Sequence, residues 1–237
     1  MQKEYKRLCV WGDSYSTPDY CVQPAESFWG LTAQFLKVDT IVNYSWPGCS
    51  FSSICHMLIS QQHNWEQDYL LIGIPPLERL TVFDDYKDTK YHAHCISLDT
   101  WYNTQDQINC HTGLKNIPGW GSEKMVVYSD RAWTETQVLS QLFLLTAWLD
   151  SVNASYLIVN LSKPLDANNV WDPSAFVLPW ALDHNKMILF DNTYYSVNKH
   201  VHKPVDFDKY SWEGHHGSQG NRHFFESSIK KKLVKNI

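Results

Sequence analysis

Short apolar runs alternate with amphipathic segments over most of this chain. Lys6 to Trp11 (KRLCVW) is an apolar run that breaks at Gly12-Asp13-Ser14 into polar and proline residues, the pattern of a buried strand entering a loop. Pro24 to Lys37 places Phe28, Leu31, Phe35 and Leu36 at helical spacing, with Pro24 suited to a first turn. Thr40 to Tyr44 (TIVNY) predicts a second strand, Phe51 to Gln62 a second helix through Ile54, Leu58 and Ile59, and Asp68 to Ile74 (DYLLIGI) a third strand closed by Pro75-Pro76. Trp133 to Val152 predicts a long helix with Val138, Leu142, Leu145 and Leu149 on one face and Thr134 or Thr136 as its cap. Ser155 to Leu161 is a fourth strand, Lys186 to Phe190 a fifth, and Ser218 to Lys235 a closing helix with Phe225, Ile229 and Leu233 on its stripe. Strand and helix in alternation predict a parallel sheet covered on both faces, and a continuous apolar run is what burial on both faces demands of each strand.

Between Leu80 and Arg131 the periodicity dissolves into Asp, His, Asn, Tyr and Trp. A structureless loop of that length does not suit a compact domain, so the segment reads as an insertion with short elements of its own, near the site. With 237 residues the chain then holds one domain over 1–237 carrying an insertion at about 80–131.

Composition narrows the function classes. Hydrophobic residues at 43% and charged residues at 19% suit a packed core and exclude a disordered chain. A net charge of −5 and a pI near 6.1 exclude the electrostatic footprint of a general nucleic-acid binder. The charged start Met1 to Arg7 lacks the apolar run of a signal peptide, and no apolar stretch reaches the ~18 residues of a membrane span, so cytoplasmic synthesis without membrane association is expected. In that compartment the six scattered cysteines are free thiols rather than a disulfide framework. The 11 Trp, 13 Tyr and 10 Phe are either core or a ligand-gripping surface that keeps a glycan or lipid substrate open.

Gly12-Asp13-Ser14 falls where the first strand ends, the place at which open parallel sheets present catalytic loops. A Ser there can aim its hydroxyl into the crevice while its own N–H helps to bind an oxyanion; the same tripeptide also serves as a turn and cap. At the far end, Trp212-Glu213-Gly214-His215-His216-Gly217-Ser218 precedes the last helix. Glu213 and His216 are spaced so that one turn sets a carboxylate against an imidazole, a base with its orienter. His215 competes for the role, but only His216 has the carboxylate three before it and Ser two after it.

With these blocks the sequence resembles the GDSL/SGNH-type serine hydrolases. The resemblance implies a three-layer α/β/α fold with a mainly parallel flavodoxin-like sheet, Ser14 as nucleophile, His216 as base, Glu213 in place of the usual Asp, and Gly217 where the family has Pro. Asn43 to Ser50 (NYSWPGCS) matches the second block, with Gly48 as an oxyanion N–H donor beside that of Ser14. The third block, Gly-x-Asn-Asp, is absent: the strand ends Gly73-Ile74-Pro75-Pro76, and Arg79 is the candidate replacement for the missing amide. Asp13, Arg79, Trp101, Tyr102 and Trp120 are candidate substrate contacts, the three rings being equally suited to packing within the insertion. No metal or organic cofactor is implied. Compact, leaderless chains of this style resemble those carried by large tailed phages, which would place the protein in a virion or host cytoplasm.

The implied activity is hydrolysis of small acyl esters, including acetyl groups on sugars, from a small-molecule or glycan substrate. Acyl transfer through the same residues, and a binding or structural protein that kept the scaffold, are the alternatives. His92-x-His94-Cys95 with Cys110-His111 beyond offers a zinc-like donor set that matches no common module, against a reading as scattered loop residues. His200-x-His202 is a weaker pair of the same kind. Acyl chain, alcohol and oligomeric state are not encoded in any of these patterns.

Overall fold

The computed structural model describes residues 4–17, 23–46, 49–76, 79–83, 93–97, 131–162, 182–198 and 217–236. Its centre is a five-stranded, all-parallel sheet in the order β2-β1-β3-β6-β7, built from β1 (Arg7–Trp11), β2 (Thr40–Asn43), β3 (Asp68–Ile74), β6 (Ser155–Asn160) and β7 (Met187–Ile188). Two further strands, β4 (Arg79–Phe83) and β5 (Ala93–Ser97), pair antiparallel in a separate ribbon inside the segment expected to be an insertion.

Every residue of β3 is buried, and β1 and β6 are buried beyond their first residue, in line with their continuous apolar runs. β2 departs from that expectation. It is the sheet edge, its residues are exposed or half-buried, and Ile41 is open to solvent.

Alternation along each strand sends side chains to two cores. One face, with Cys9, Trp11, Leu70 and Ile72, packs against α2 (Phe51–Ser60) and α3 (Arg131–Ser151) through Ile54, Leu58, Leu142 and Leu149. The other, with Leu8, Val10, Tyr69 and Leu71, packs against α1 (Phe28–Leu36), the short α4 (Tyr194–Asn198) and the C-terminal helix. That last helix runs as α5 (Ser218–Phe224), a π-helical segment (Phe225–Ile229) and α6 (Lys230–Asn236), burying Phe224, Phe225, Ile229 and Leu233.

Helix starts differ from the sequence expectation in instructive ways. Pro24 opens not α1 but a 3-10 turn over Pro24–Glu26, after which Ser27 caps α1 by accepting the Gly30 N–H at 2.9 Å. A β-carbon on Gly30 would sit 1.9 Å from the Pro24 carbonyl oxygen, so only glycine lets the turn fold back on the helix. The α3 helix begins at Arg131, ahead of Thr134 and Thr136, so neither caps it; Thr136 is buried and its carbonyl accepts the Ser140 hydroxyl at 2.9 Å. Among the described residues Cys9 and Cys55 are free thiols, and no helix is long and apolar enough to cross a membrane.

Candidate functional site

The strand order places a topological switch between β1 and β3: the chain leaves β1 toward β2 on one side and β3 toward β6 on the other. The crevice beyond the carboxyl ends of two such strands is where open α/β sheets bind ligands. Gly12 to Thr17 occupies that end of β1. Asp13 folds the loop, its carbonyl accepting the Ser16 N–H and the Thr17 hydroxyl at 2.9 Å each and its carboxylate accepting the Tyr15 N–H at 3.1 Å. Asp13 is fully buried, whereas Ser14, the next residue, retains 8% exposure.

The β2 end locks this loop from the side. Asn43 donates to the Ser16 carbonyl at 2.6 Å and accepts the Ser45 N–H at 2.9 Å, and the Trp46 N–H reaches the Gly12 carbonyl at 3.0 Å. A β-carbon on Gly12 would lie 2.5 Å from Ser16 Oγ and 3.6 Å from Ser45 Oγ. The glycine is thus a requirement of close approach. Ser50 caps α2 by accepting the Ser53 N–H at 3.3 Å, setting that helix's N-terminus at the same end of the sheet.

The C-terminal helix converges on this end too. Asn221 in its first turn accepts the Phe28 N–H at 3.1 Å and donates to the Gly217 carbonyl at 3.1 Å, tying the start of α5 to the start of α1. Rings continue the tie: Tyr15 of the loop packs edge-on against Tyr194 at 5.4 Å, and Tyr194 against Phe224 at 5.2 Å. Gly217 immediately follows His216, so the chain that carries Glu213, His215 and His216 re-enters the described structure beside the fold elements that hold Ser14. Those three residues lie outside the described residues, as do Gly48, Trp101, Tyr102 and Trp120. Arg79 is the first residue of β4, with its side chain outside the description. Of the zinc-like donors, His94 and Cys95 fall in β5 and pair through the backbone with Val82 and Thr81, while His92, Cys110 and His111 lie outside.

Three features escaped the sequence reading. The hydroxyls of Ser16 and Ser45, both close to Gly12, are buried without a hydrogen bond to any described residue. The Trp46 indole is 67% exposed beside the loop.

The third feature lies toward the opposite end of β1 and β3, on the α2 and α3 face. Arg7 grips Asp68 with two bonds, Nε to Oδ1 at 2.8 Å and Nη2 to Oδ2 at 2.5 Å, and the Asn64 N–H adds a third at 2.9 Å. His63 Nδ1 is 3.6 Å from Asp68 Oδ2, and donor atoms of Cys9, His63 and Asp68 all lie within 4.8 Å of one another. The side chains of His63 and Asp68 are sealed, at 0% and 2% exposure.

Burial pushes the Cys9 thiol up to about 12, with the Asp68 charge adding to it. Burial also lowers the basicity of His63, against the pull of Asp68 and the Leu58 carbonyl, neither of which closes a hydrogen bond to the ring. Burial opposes ionisation of Asp68, but the Arg7 bonds, the Asn64 N–H and the Arg7 charge together hold its carboxyl below the usual range. A Cys, a His and an Asp so close together have the composition of a nucleophilic triad, but the ring is hydrogen-bonded to neither partner and the His63 and Asp68 side chains are closed to substrate.

No protein-family model matches the chain, and no curated protein does. Among solved structures it is similar to a phospholipase A1 from Streptomyces albidoflavus NA297, at 12% identity over 96% of this chain and 99% of that one, with a TM-score of 0.49. It is similar also to a member of the lipolytic protein G-D-S-L family from Veillonella parvula DSM 2008, at 12% identity over 95% and 97% of the two chains and a TM-score of 0.46. A psychrotrophic esterase from a Pseudoalteromonas species follows at 15% identity, 97% and 99% coverage and a TM-score of 0.43. At these scores the likenesses locate no catalytic residue in this chain.

Proposed function

We propose that this protein is a serine ester hydrolase acting on small acyl esters, with Ser14 as its nucleophile. The observation that carries the reading is the place of Ser14: one residue past a fully buried Asp13, on a loop at the carboxyl end of β1, at the switch point of a parallel sheet. In this reading Ser14 Oγ attacks the ester carbonyl while His216 takes its proton. The alcohol leaves with that proton, and water, deprotonated in turn by His216, frees the acid from acyl-Ser14. Glu213 orients the imidazole, and the N–H groups of Ser14 and Gly48 face the oxyanion. The loop's hydrogen bonds to Asp13 and Asn43 support this, because a nucleophile held by its neighbours needs no reorganisation during the reaction.

The aromatic residues of the insertion extend the proposal to acetyl groups on glycans, with Trp101, Tyr102 and Trp120 as stacking surfaces. Turnover of p-nitrophenyl acetate and butyrate, with and without a serine-reactive phosphonate, tests the core of it. Phosphonate recovered on the peptide that contains Ser14 supports the assignment; labelling elsewhere, or no turnover of either ester, overturns it.

One observation favours a second reading, a binding protein on the same scaffold. The β3 end offers Gly73-Ile74-Pro75-Pro76 to the crevice, with no side-chain amide and two prolines that lack an N–H. Loss of one oxyanion donor costs a comparable enzyme ~2.7–4 kcal/mol of transition-state stabilisation. Binding of an acetylated oligosaccharide without its hydrolysis would select this reading.

A further inference from the structure

We infer that Cys9, His63 and Asp68 form a binding site for one divalent transition-metal ion of the zinc class, remote from the proposed ester-cleaving loop. The trio supplies a sulfur, a nitrogen and an oxygen donor within 4.8 Å of one another, drawn from β1, the loop before β3 and the first residue of β3. His63 is the independent pointer to a ligand. Its side chain is fully sealed, yet neither ring nitrogen makes a hydrogen bond to any described residue. Buried polar atoms left so require an explanation, and a bound ion is one of the few available.

The distances agree with that explanation. The 3.6 Å between His63 Nδ1 and Asp68 Oδ2 is too long for a hydrogen bond. It is close to the ~3.3 Å that separates nitrogen and oxygen donors sharing a tetrahedral ion at ~2.0–2.1 Å. With all three donor atoms within 4.8 Å of one another, closure around an ion needs a shift of at most about 1 Å, which His63 can take up because it lies in the connection between α2 and β3 rather than within either.

Outer contacts suit the role. Arg7 and the Asn64 N–H already fix the Asp68 carboxylate, as second partners do for metal-bound carboxylates. Thiolate and imidazole select Zn²⁺ or Co²⁺ over Mg²⁺ and Ca²⁺. Binding exchanges the thiol proton for the metal: M²⁺ joins Cys9 S⁻, one H⁺ leaves to solvent, and no electron moves. Three protein donors leave a fourth position to water, and the seal around the site makes the ion a clamp between β1 and β3 rather than a catalyst.

The test uses the full chain, stripped with chelator and titrated with Zn²⁺ and Co²⁺. The expected result is one equivalent bound, a thiolate-to-cobalt charge-transfer band in the near ultraviolet, and a melting temperature that rises with free Zn²⁺. Cys9→Ala should abolish the band and weaken binding more than ~100-fold, Arg7→Gln should weaken it ~10- to 100-fold, and Cys55→Ala should leave it intact. X-ray absorption on the wild-type zinc complex gives a reading that survives a variant's failure to fold, through one sulfur at ~2.3 Å with nitrogen and oxygen near 2.0 Å. Absence of stoichiometric binding overturns the inference. So does a sulfur-free shell, or binding that survives Cys9→Ala but is lost in Cys95→Ala or Cys110→Ala.

Discussion

The two ends of β1 and β3 hold polar groups in opposite ways. At the carboxyl end, Asp13, Ser16, Thr17 and Asn43 close a loop by bonds between near neighbours in sequence or adjoining strands, and Ser14 within it keeps only a sliver of exposure. Toward the amino end, Arg7 and Cys9 of β1 meet His63 of the connection after α2 and Asp68 of β3, and Trp11 and Trp65 cover His63, their rings packing against it at 5.9 and 4.8 Å. A loop closed by local bonds can hold a nearly buried hydroxyl in a fixed place at the end of a strand. A cluster that depends on distant partners has its chemistry spent on holding strands together.

The largest expected effect breaks the first region alone. Ser14→Ala should lower ester turnover by about 10⁴-fold or more while the melting temperature stays within a degree or two, since the hydroxyl adds little to the core. His216→Ala should match it, and Glu213→Gln should cost less, because nucleophile and base act as a unit. Retention of more than a few percent of activity in Ser14→Ala would remove that residue from the mechanism. Wild-type turnover should also fall on acidification through ~pH 6.5, where an imidazole base becomes protonated. A flat profile from pH 5 to 8 would speak against a histidine base.

Breaking the second region should appear in stability instead. Asp68→Ala removes the partner of a half-buried guanidinium and should cost about 2–4 kcal/mol in chemical denaturation, the upper end being tempered by the 30% exposure of Arg7. An unchanged denaturation midpoint would mean that the cluster clamps nothing.

Gly12→Ala sharpens the contrast, because its β-carbon meets Ser16 Oγ at 2.5 Å and must displace the loop. A loss of about 1–3 kcal/mol in stability, with a further fall in turnover per folded molecule, is expected. Normal turnover would show that the loop tolerates the shift.

A smaller effect is expected of Trp46→Ala: no change in melting temperature, but a raised KM of up to about tenfold on a bulky ester with acetate turnover spared. Equal changes on both esters would make the exposed ring irrelevant to substrate size.

The smallest is chemical. Burial pushes the Cys55 thiol up to about 12, so at pH 8 only about one molecule in 10⁴ carries the thiolate, and alkylation of the native protein at Cys55 should be negligible over an hour.

Much of the first region was legible in the chain because its information is local. The apolar runs of β1, β3 and β6 mark strands buried on both faces, and Gly12-Asp13-Ser14 marks the break that follows one of them. The edge position of β2 was not legible, since TIVNY has the composition of a central strand and only the pairing order exposes it. Nor was the start of α1, where a preference for Pro in a first turn was met by a 3-10 turn that Gly30 permits. The Cys9, His63 and Asp68 cluster has no signature spacing. It exists because parallel pairing sets Arg7 opposite Asp68 and the connection after α2 folds His63 over them. The join between Ser14 and the Glu213 to His216 block was drawn from order along the chain. The structure anchors Asn221 to Phe28 and Gly217, while Glu213 to His216 lie outside the described residues.

The widened turn at Phe225–Ile229 has a consequence for how the chain tolerates change in length. Phe225, Ile229 and Leu233 step by four, and on an α-helix of 100° per residue each such step drifts about 40° around the axis. A turn of i to i+5 bonding absorbs that drift, which is how all three side chains stay on one buried face. Excision of Ser227 alone would restore regular α-helical bonding and leave Phe225 and Ile229 three residues apart, about 300° on an α-helix, so everything after it would swing by about 60° rather than by the 100° of a deletion from a regular helix. The widened turn is thus the place in this helix where loss of one residue displaces Leu233 and the Lys230 to Lys232 run least.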